Sequence, residues 1–106
     1  MAWGILLLAG LFEIGWAIGL KYSQGFTRLW PTVGTAAALL VSMTLLAVAL
    51  RTLPLGSAYA IWTGIGTIGT AILGILLFGE PATALRALCI VLILVGIVGL
   101  KFAAGT

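Results

Sequence analysis

The chain has 106 residues, of which 63% are hydrophobic and only 7% are charged. A soluble domain normally carries about 25% charged residues, so this composition excludes an ordinary soluble domain and indicates an integral membrane protein. The net charge of +3 does not indicate a nucleic-acid partner, because the five cations are scattered along the chain and are better interpreted as anchors at helix ends.

The charged residues divide the chain into four apolar stretches of roughly the length that a bilayer requires. A spanning helix needs about 20 residues, within a range of roughly 17–25, and long cationic side chains at the ends of a shorter stretch reach the interface. The predicted helices cover residues 2–21, 29–50, 55–78 and 83–102. They form a single all-α transmembrane domain in which the short loops make neighbouring helices antiparallel. Almost no residues remain for a soluble catalytic domain.

The first predicted helix carries one charge in its apolar interior, Glu13. A carboxylate in hydrocarbon costs roughly 2.5 kcal/mol or more, which favours a functional role as a proton carrier or a cation site. Gly10 and Trp16 lie on the same helical face. The indole of Trp16 offers an N–H for a carboxylate and a ring face for a cation. Trp in a span usually marks an interface, but Trp16 lies deeper and close to the acid, which favours a role in the site. Gly15 and Gly19 form a GxxxG pair on the other side, where a second helix can approach closely.

Hydroxyl residues mark the starts of the second and fourth helices and the middle of the second. Thr27 and Thr83 are predicted N-caps. Ser42 falls in the middle of the second span, where a lone Ser usually bonds to a carbonyl of its own helix. From the residues alone, a contact between Ser42 and the Glu13 site is therefore the less favoured of two alternatives.

The third helix presents a polar face in an otherwise apolar span. Tyr59 can donate a hydrogen bond to Glu13, and Trp62 can wall the site or donate as well. The alternative for Tyr59 is an anchor at the interface, because it lies only about one turn inside the loop. The residues on this face are Tyr59, Trp62, Thr63, Gly66 and Thr70.

Glycines in the last two helices indicate bending or close packing. Gly64 and Gly66 favour a hinge in the third helix, with close helix contact as the alternative. Their formal match to a dinucleotide-binding motif is rejected, because that motif needs a preceding strand and a helix N-terminus open to water. In the fourth helix, Cys89 and Gly96 lie one heptad apart and predict a smooth helix–helix contact stripe.

The remaining charges predict no catalytic chemistry. The outlying cations are interpreted as headgroup anchors and Glu80 as a solvated loop acid. Two acids without a histidine make neither a convincing metal site nor a nucleophile–base pair, so no metal, cofactor or enzymatic reaction is expected. The anchors are Arg28, Arg51, Arg86 and Lys101.

The same cations give almost no preference for one orientation in the membrane. Three of them, at positions 21, 28 and 86, lie on one predicted side and two, at 51 and 101, on the other. The chain could insert both ways up, or this small bias could fix one orientation. Four helices are too few to shelter a charge from lipid on every side, which favours an assembly of more than one copy.

Together these residues resemble the small multidrug resistance family of four-helix bacterial transporters. The resemblance covers essentially the whole chain and is carried by Glu13, by residues 21–31 (KYSQGFTRLWP) and by residues 53–66 (LPLGSAYAIWTGIG). Within the family, Trp16 resembles the guanidinium-exporting subtype, since the multidrug subtype usually has a small residue there. Gly10 and Ser42 fit the same pattern, and this similarity strengthens the assignment of Ser42 to the site.

The resemblance implies an antiparallel homodimer with dual topology in the bacterial inner membrane. It also implies that guanidinium and protons share the Glu13 carboxylates of both subunits, with Trp16, Ser42, Tyr59 and Trp62 around them, and that the cation is exported in exchange for protons. Two other functions remain open. One is export of hydrophobic or quaternary ammonium cations, and the other is a non-transporting role as a proton-conducting or assembly subunit.

Overall fold

The structure, a computed structural model, describes residues 1–103, and in this part of the chain all regular structure is helical. Each helix end lies within one residue of its predicted position. All four helices are long and apolar enough to cross a membrane, which confirms the all-α membrane fold class. The helices are α1 (Ala2–Tyr22), α2 (Leu29–Ala49), α3 (Leu55–Phe78) and α4 (Ala84–Ala103).

The two predicted N-caps have different outcomes. Thr83 caps α4, because its hydroxyl oxygen accepts a hydrogen bond of 3.2 Å from the backbone N–H of Arg86. The prediction for Thr27 is wrong, since the N-cap position of α2 is Arg28, which makes no side-chain cap bond. The Thr27 hydroxyl instead donates backwards to the carbonyl of Gln24 at 2.8 Å. It therefore stabilises the turn after α1 rather than the start of α2.

The helices form a flattened slab of 43 × 34 × 17 Å in which α1 is central. Helix α1 packs against α2 on one side and α3 on the other, and α4 packs against the outer side of α3. The spatial order is thus α2, α1, α3, α4. Such a slab leaves broad faces of the helices uncovered, and α4 contributes no buried residue.

Glycines bring neighbouring helices close together. A Cβ atom at Gly15 would lie 3.8 Å from the Cβ of Ala38, so the predicted close approach at the GxxxG pair is made by α2. A Cβ atom at Gly64 would lie 2.6 Å from Cδ1 of Ile97 on α4. Helix α3 runs unbroken through Gly64, and the contact with Ile97 gives this glycine a packing role.

The buried apolar core lies at only one end of the bundle. It joins the first half of α1, the last turns of α2 and the first half of α3. At the other end, beyond Glu13, α1 and α3 instead border a cavity. One end of the bundle is therefore packed, and the other is open to a small molecule. The core residues are Leu6, Ala9, Leu46, Ala49, Leu53, Ala58, Ile61 and Trp62.

Candidate functional site

A cavity of about 530 Å³ lies between α1 and α3 and runs from the middle of the membrane to the loop after α3. Its volume lies in the usual range for ligand sites, roughly 300–1,000 Å³. Helix α1 supplies an acid and an indole, α3 supplies two glycines and two hydroxyls, and the loop supplies a second acid. These lining residues are Glu13, Trp16, Gly66, Thr67, Thr70, Gly74 and Glu80.

The carboxylate of Glu13 reaches across to α3 because position 66 has no side chain. A Cβ atom at Gly66 would overlap Oε1 of Glu13 and would lie 2.7 Å from its Cγ. Gly10 has the matching role on α1, since a Cβ atom there would lie 2.6 Å from Cγ2 of Ile65. The two glycines therefore set the distance between α1 and α3 and make room for the acid. This spatial role of Gly66 is close to the packing alternative given above, and the hinge at Gly64 and Gly66 stays a prediction.

Three buried side-chain atoms in the described part of the chain have no hydrogen-bond partner: Glu13 Oε1, Trp16 Nε1 and Thr70 Oγ1. All three belong to residues that line the same cavity. A buried polar group without a partner costs about 1–3 kcal/mol. The residues around the cavity thus include an acid, an indole and a hydroxyl that each have a buried polar atom without an internal partner.

Ser42 links three helices instead of bonding to its own. Its fully buried hydroxyl donates to the Ala9 carbonyl at 2.7 Å and accepts a 3.0 Å bond from Nε1 of Trp62. The Ala9 carbonyl lies one turn before Glu13 and is the helical acceptor for the Glu13 N–H. The expectation from the residues alone, a bond within α2, is wrong for Ser42, whereas Thr44 does bond to the Leu40 carbonyl of its own helix.

Tyr59 lies apart from Glu13 in the single chain. Its side chain is 54% exposed, and its ring packs on Trp62 with 5.4 Å between centroids. It precedes Gly66 by seven residues on α3, or about 10 Å along the axis. Within one chain, Glu13 and Trp16 therefore line the cavity together. Ser42 and Trp62 are hydrogen-bonded to each other outside the cavity, and Tyr59 lies on the surface.

The predicted contact stripe on α4 is uncovered in the single chain. Cys89 is exposed. A Cβ atom at Gly96 would have no atom within 4 Å in the described residues. The stripe is therefore available to a second protein chain.

The sequence interpretation missed two features of the cavity. Glu80 was expected to be a solvated loop acid, but it lines the cavity and pairs with Arg86 at 3.2 Å. Arg86 is thus more than a headgroup anchor. Thr70 was placed on the polar face of α3 but not in the site. Its spacing of four residues from Gly66 was the signal that could have found it.

Four membrane-spanning helices around a cavity that contains a carboxylate are typical features of a small ion or solute transporter. The comparison with protein families agrees. The family model described as "Small Multidrug Resistance protein" matches residues 1–93. The chain therefore belongs to the small multidrug resistance family, and it is a multi-pass transporter of the inner membrane rather than an enzyme.

Curated relatives match over nearly their whole length. The chain is 59% identical over 101 residues to the guanidinium exporter of Citrobacter freundii, covering 95% of this chain and 96% of the relative. It is 60% identical over 103 residues to the guanidinium exporter of Yersinia pseudotuberculosis serotype I, covering 97% and 99%. Its identity with the guanidinium exporter of Salmonella typhimurium strain LT2 is 58% over 104 residues, covering 98% and 99%.

Proposed function

We propose that this protein exports guanidinium ion across the bacterial inner membrane in exchange for protons, by alternating access. In this proposal guanidinium and protons compete for Glu13. The observation that carries the proposal is the unpaired carboxylate oxygen of Glu13 in a cavity that also holds an unpaired indole N–H and an unpaired hydroxyl. The names of the relatives, all guanidinium exporters, supply the substrate.

The groups in the cavity match the chemistry of guanidinium. This ion is planar, and its N–H groups form a fork that suits the two oxygens of a carboxylate. Glu13 accepts two of these N–H groups, and the Thr70 hydroxyl accepts a third. The ring face of Trp16 provides a cation–π contact, while its N–H is free to orient the carboxylate.

Competition between substrate and proton follows from the cost of a bare carboxylate. An unpaired charge away from water is expensive unless it is neutralised. A proton neutralises Glu13, and so does a bound guanidinium, but a protonated carboxyl no longer attracts the cation. The two ligands therefore exclude one another, which is the physical basis of antiport.

Four features support an antiparallel pair of chains as the transporting unit. The slab is only 17 Å across its thinnest dimension, and α4 has no buried residue. A Cβ atom at Gly96 would meet no described atom within 4 Å, and the cations give little preference for one orientation. A second copy would bring its own Glu13 to the site, and the exposed Tyr59 of that copy would be free to donate to a carboxylate across the interface. If two protons exchange for one guanidinium, the cycle moves net charge.

The test is guanidinium-dependent current from proteoliposomes adsorbed on a supported membrane. We expect a current from the wild-type protein and none from Glu13→Gln, which keeps the size of the side chain but cannot carry a charge or exchange a proton at this position. A guanidinium current of wild-type size in Glu13→Gln would refute the proposal.

One observation favours a second candidate, a multidrug exporter. The cavity volume of about 530 Å³ far exceeds what an ion of one carbon and three nitrogens requires. The same assay with a quaternary ammonium dye separates the two candidates, since a guanidinium exporter gives the larger current with guanidinium. A non-transporting subunit would instead give no current, and no proton release from the purified protein, with either cation.

A further inference from the structure

Both acidic residues of this chain line the same cavity, although 67 positions separate them. Each carboxylate lies against a glycine of α3. A Cβ atom at Gly66 would overlap Glu13, and a Cβ atom at Gly74 would overlap Oε1 of Glu80 and lie 3.0 Å from its Cδ. The two glycines are eight residues apart, or about 12 Å along the helix axis. The cavity therefore holds one carboxylate in mid-membrane and another at its mouth.

The loop after α3 is built to turn Glu80 back over the helix. Gly79 has φ of 66°, a left-handed conformation that glycine adopts without steric cost. The next N–H, that of Glu80, donates to the carbonyl of Gly74 at 3.3 Å. This turn, and not a chance side-chain rotamer, directs the Glu80 carboxylate to the cavity mouth.

Glu80 already binds a guanidinium group, the side chain of Arg86. The Arg86 Nη2 atom lies 3.2 Å from Glu80 Oε1, and Arg86 comes from the first turn of α4, beside a separate groove between α3 and α4. The Arg86 side chain is 36% exposed and the Glu80 side chain is 44% exposed. Exposed ion pairs of this kind add little stability, so a free guanidinium can replace Arg86 at small cost.

The charges at the mouth favour replacement over simple addition. Lys21 also lines the cavity, with its Nζ atom 5.7 Å from the centre of the Phe78 ring. Lys21 and Arg86 together outweigh the single charge of Glu80. An arriving cation is therefore held at the mouth only when it takes the place of Arg86 on the carboxylate.

Thr70 lies on α3 midway between the two carboxylates. Gly66, Thr70 and Gly74 are spaced by four residues and share one helical face. The Thr70 hydroxyl is buried and has no partner among the described residues. Thr67 lines the same cavity, but its hydroxyl already donates to the carbonyl of Thr63 at 2.8 Å. Thr70 is thus placed to accept an N–H from a cation that moves between the two acids.

We propose that Glu80 forms an outer guanidinium-binding site at the cavity mouth, which Arg86 occupies until substrate replaces it. In this proposal the Thr70 hydroxyl accepts an N–H from the cation as it moves from the outer site to Glu13. The inference rests on the proposed guanidinium transport. In an antiparallel pair the two copies of Glu80 would lie at opposite membrane faces, so each face would have one outer site.

Two variants of the same ion pair test the proposal, because they should act in opposite directions. Guanidinium-dependent current is measured over a range of substrate concentrations. We expect Glu80→Gln to raise the KM about threefold to tenfold, since it removes the outer site. Arg86→Gln should lower the KM by a similar factor, because Glu80 is no longer occupied. If the ion pair only stabilises the fold, each variant removes the same stabilising contact, and the KM shifts in the same direction in both. That result would overturn the proposal.

Two further measurements cover the case in which Glu80→Gln folds poorly. Thr70→Val should raise the KM, and Thr44→Val, which lies outside the cavity and whose hydroxyl is bonded within its own helix, should not. Glu13→Gln protein should retain weak guanidinium binding in saturation-transfer NMR, and that binding should become stronger when Arg86→Gln is added, because Glu80 is then unoccupied. Equal effects of the two threonine changes, or no binding in Glu13→Gln, would overturn the outer site. Absence of guanidinium current from the wild type would refute the proposed function itself.

Discussion

Removal of the Ser42 hydroxyl should destabilise the protein more than removal of any neighbouring hydroxyl on α2. Ser42→Ala deletes two interhelical bonds, one to the Ala9 carbonyl and one from the Trp62 indole. Thr44→Ala is the matched control, because the Thr44 hydroxyl is bonded within α2 to the Leu40 carbonyl. Both changes remove a hydroxyl from the same helix.

The expected loss in the free energy of unfolding for Ser42→Ala is about 1–2 kcal/mol. Interhelical hydrogen bonds in membranes contribute about 0.6 kcal/mol on average and at most about 1.7, and an unsatisfied buried donor costs about 1–3. Ser42 is fully buried and Trp62 is only 5% exposed, so the indole N–H finds no solvent when its acceptor is lost. These conditions place the effect above the average. Thr44→Ala should change stability by less than about 0.5 kcal/mol.

Unfolding by SDS in mixed micelles, followed by tryptophan fluorescence at one fixed protein concentration, measures both values. The concentration is fixed because stability depends on it when chains associate. Trp62→Phe should couple to Ser42→Ala, so the double variant loses less than the sum of the single losses. Equal losses in Ser42→Ala and Thr44→Ala, or full additivity with Trp62→Phe, would refute the three-helix link.

Three further changes act on the cavity and its loop. Gly66→Ala should abolish guanidinium-dependent current while the protein still extracts as a folded species, because a Cβ atom at this position overlaps the Glu13 carboxylate; a normal KM in this variant would contradict the contact. Trp16→Gly should reduce the preference for guanidinium over a quaternary ammonium dye in transport assays, and unchanged discrimination would remove Trp16 from the site. Gly79→Ala should cost about 1–2 kcal/mol in SDS unfolding, since φ at this position is 66°.

The helices were predictable because the charges of the chain lie near their ends. Lys21 and Arg28 bracket the first loop, and the run between Arg51 and Glu80 contains the whole of α3. Glu13 stood out for the opposite reason, as a charge within a span. Long apolar segments with few charges leave little freedom in where a helix begins and ends, since the bilayer thickness fixes their length.

The site was less predictable, because helical spacing identifies which residues share a face but not what that face meets. Tyr59, Trp62 and Thr70 follow one another along α3, yet only Thr70 lines the cavity, whereas Trp62 is bonded to Ser42 and Tyr59 is exposed. Glu80 was missed for a related reason. Its place at the cavity mouth depends on a left-handed turn at Gly79, and a sequence pattern gives no direction for a side chain in a loop.

The difference between satisfied and unsatisfied polar groups separates the structural part of this protein from its functional part. At the packed end, Ser42 and Trp62 complete each other's hydrogen bonds and hold α1 one turn before Glu13. In the cavity, Glu13, Trp16 and Thr70 each have a buried atom without a partner in the described residues. Internal partners for those atoms would have stabilised the fold, but they would also have competed with any ligand. In the proposed exchange of guanidinium for protons, the stability lost in the cavity is what would leave Glu13 able to bind either ion, and the Ser42 hydrogen bonds would hold α1 in position during the exchange.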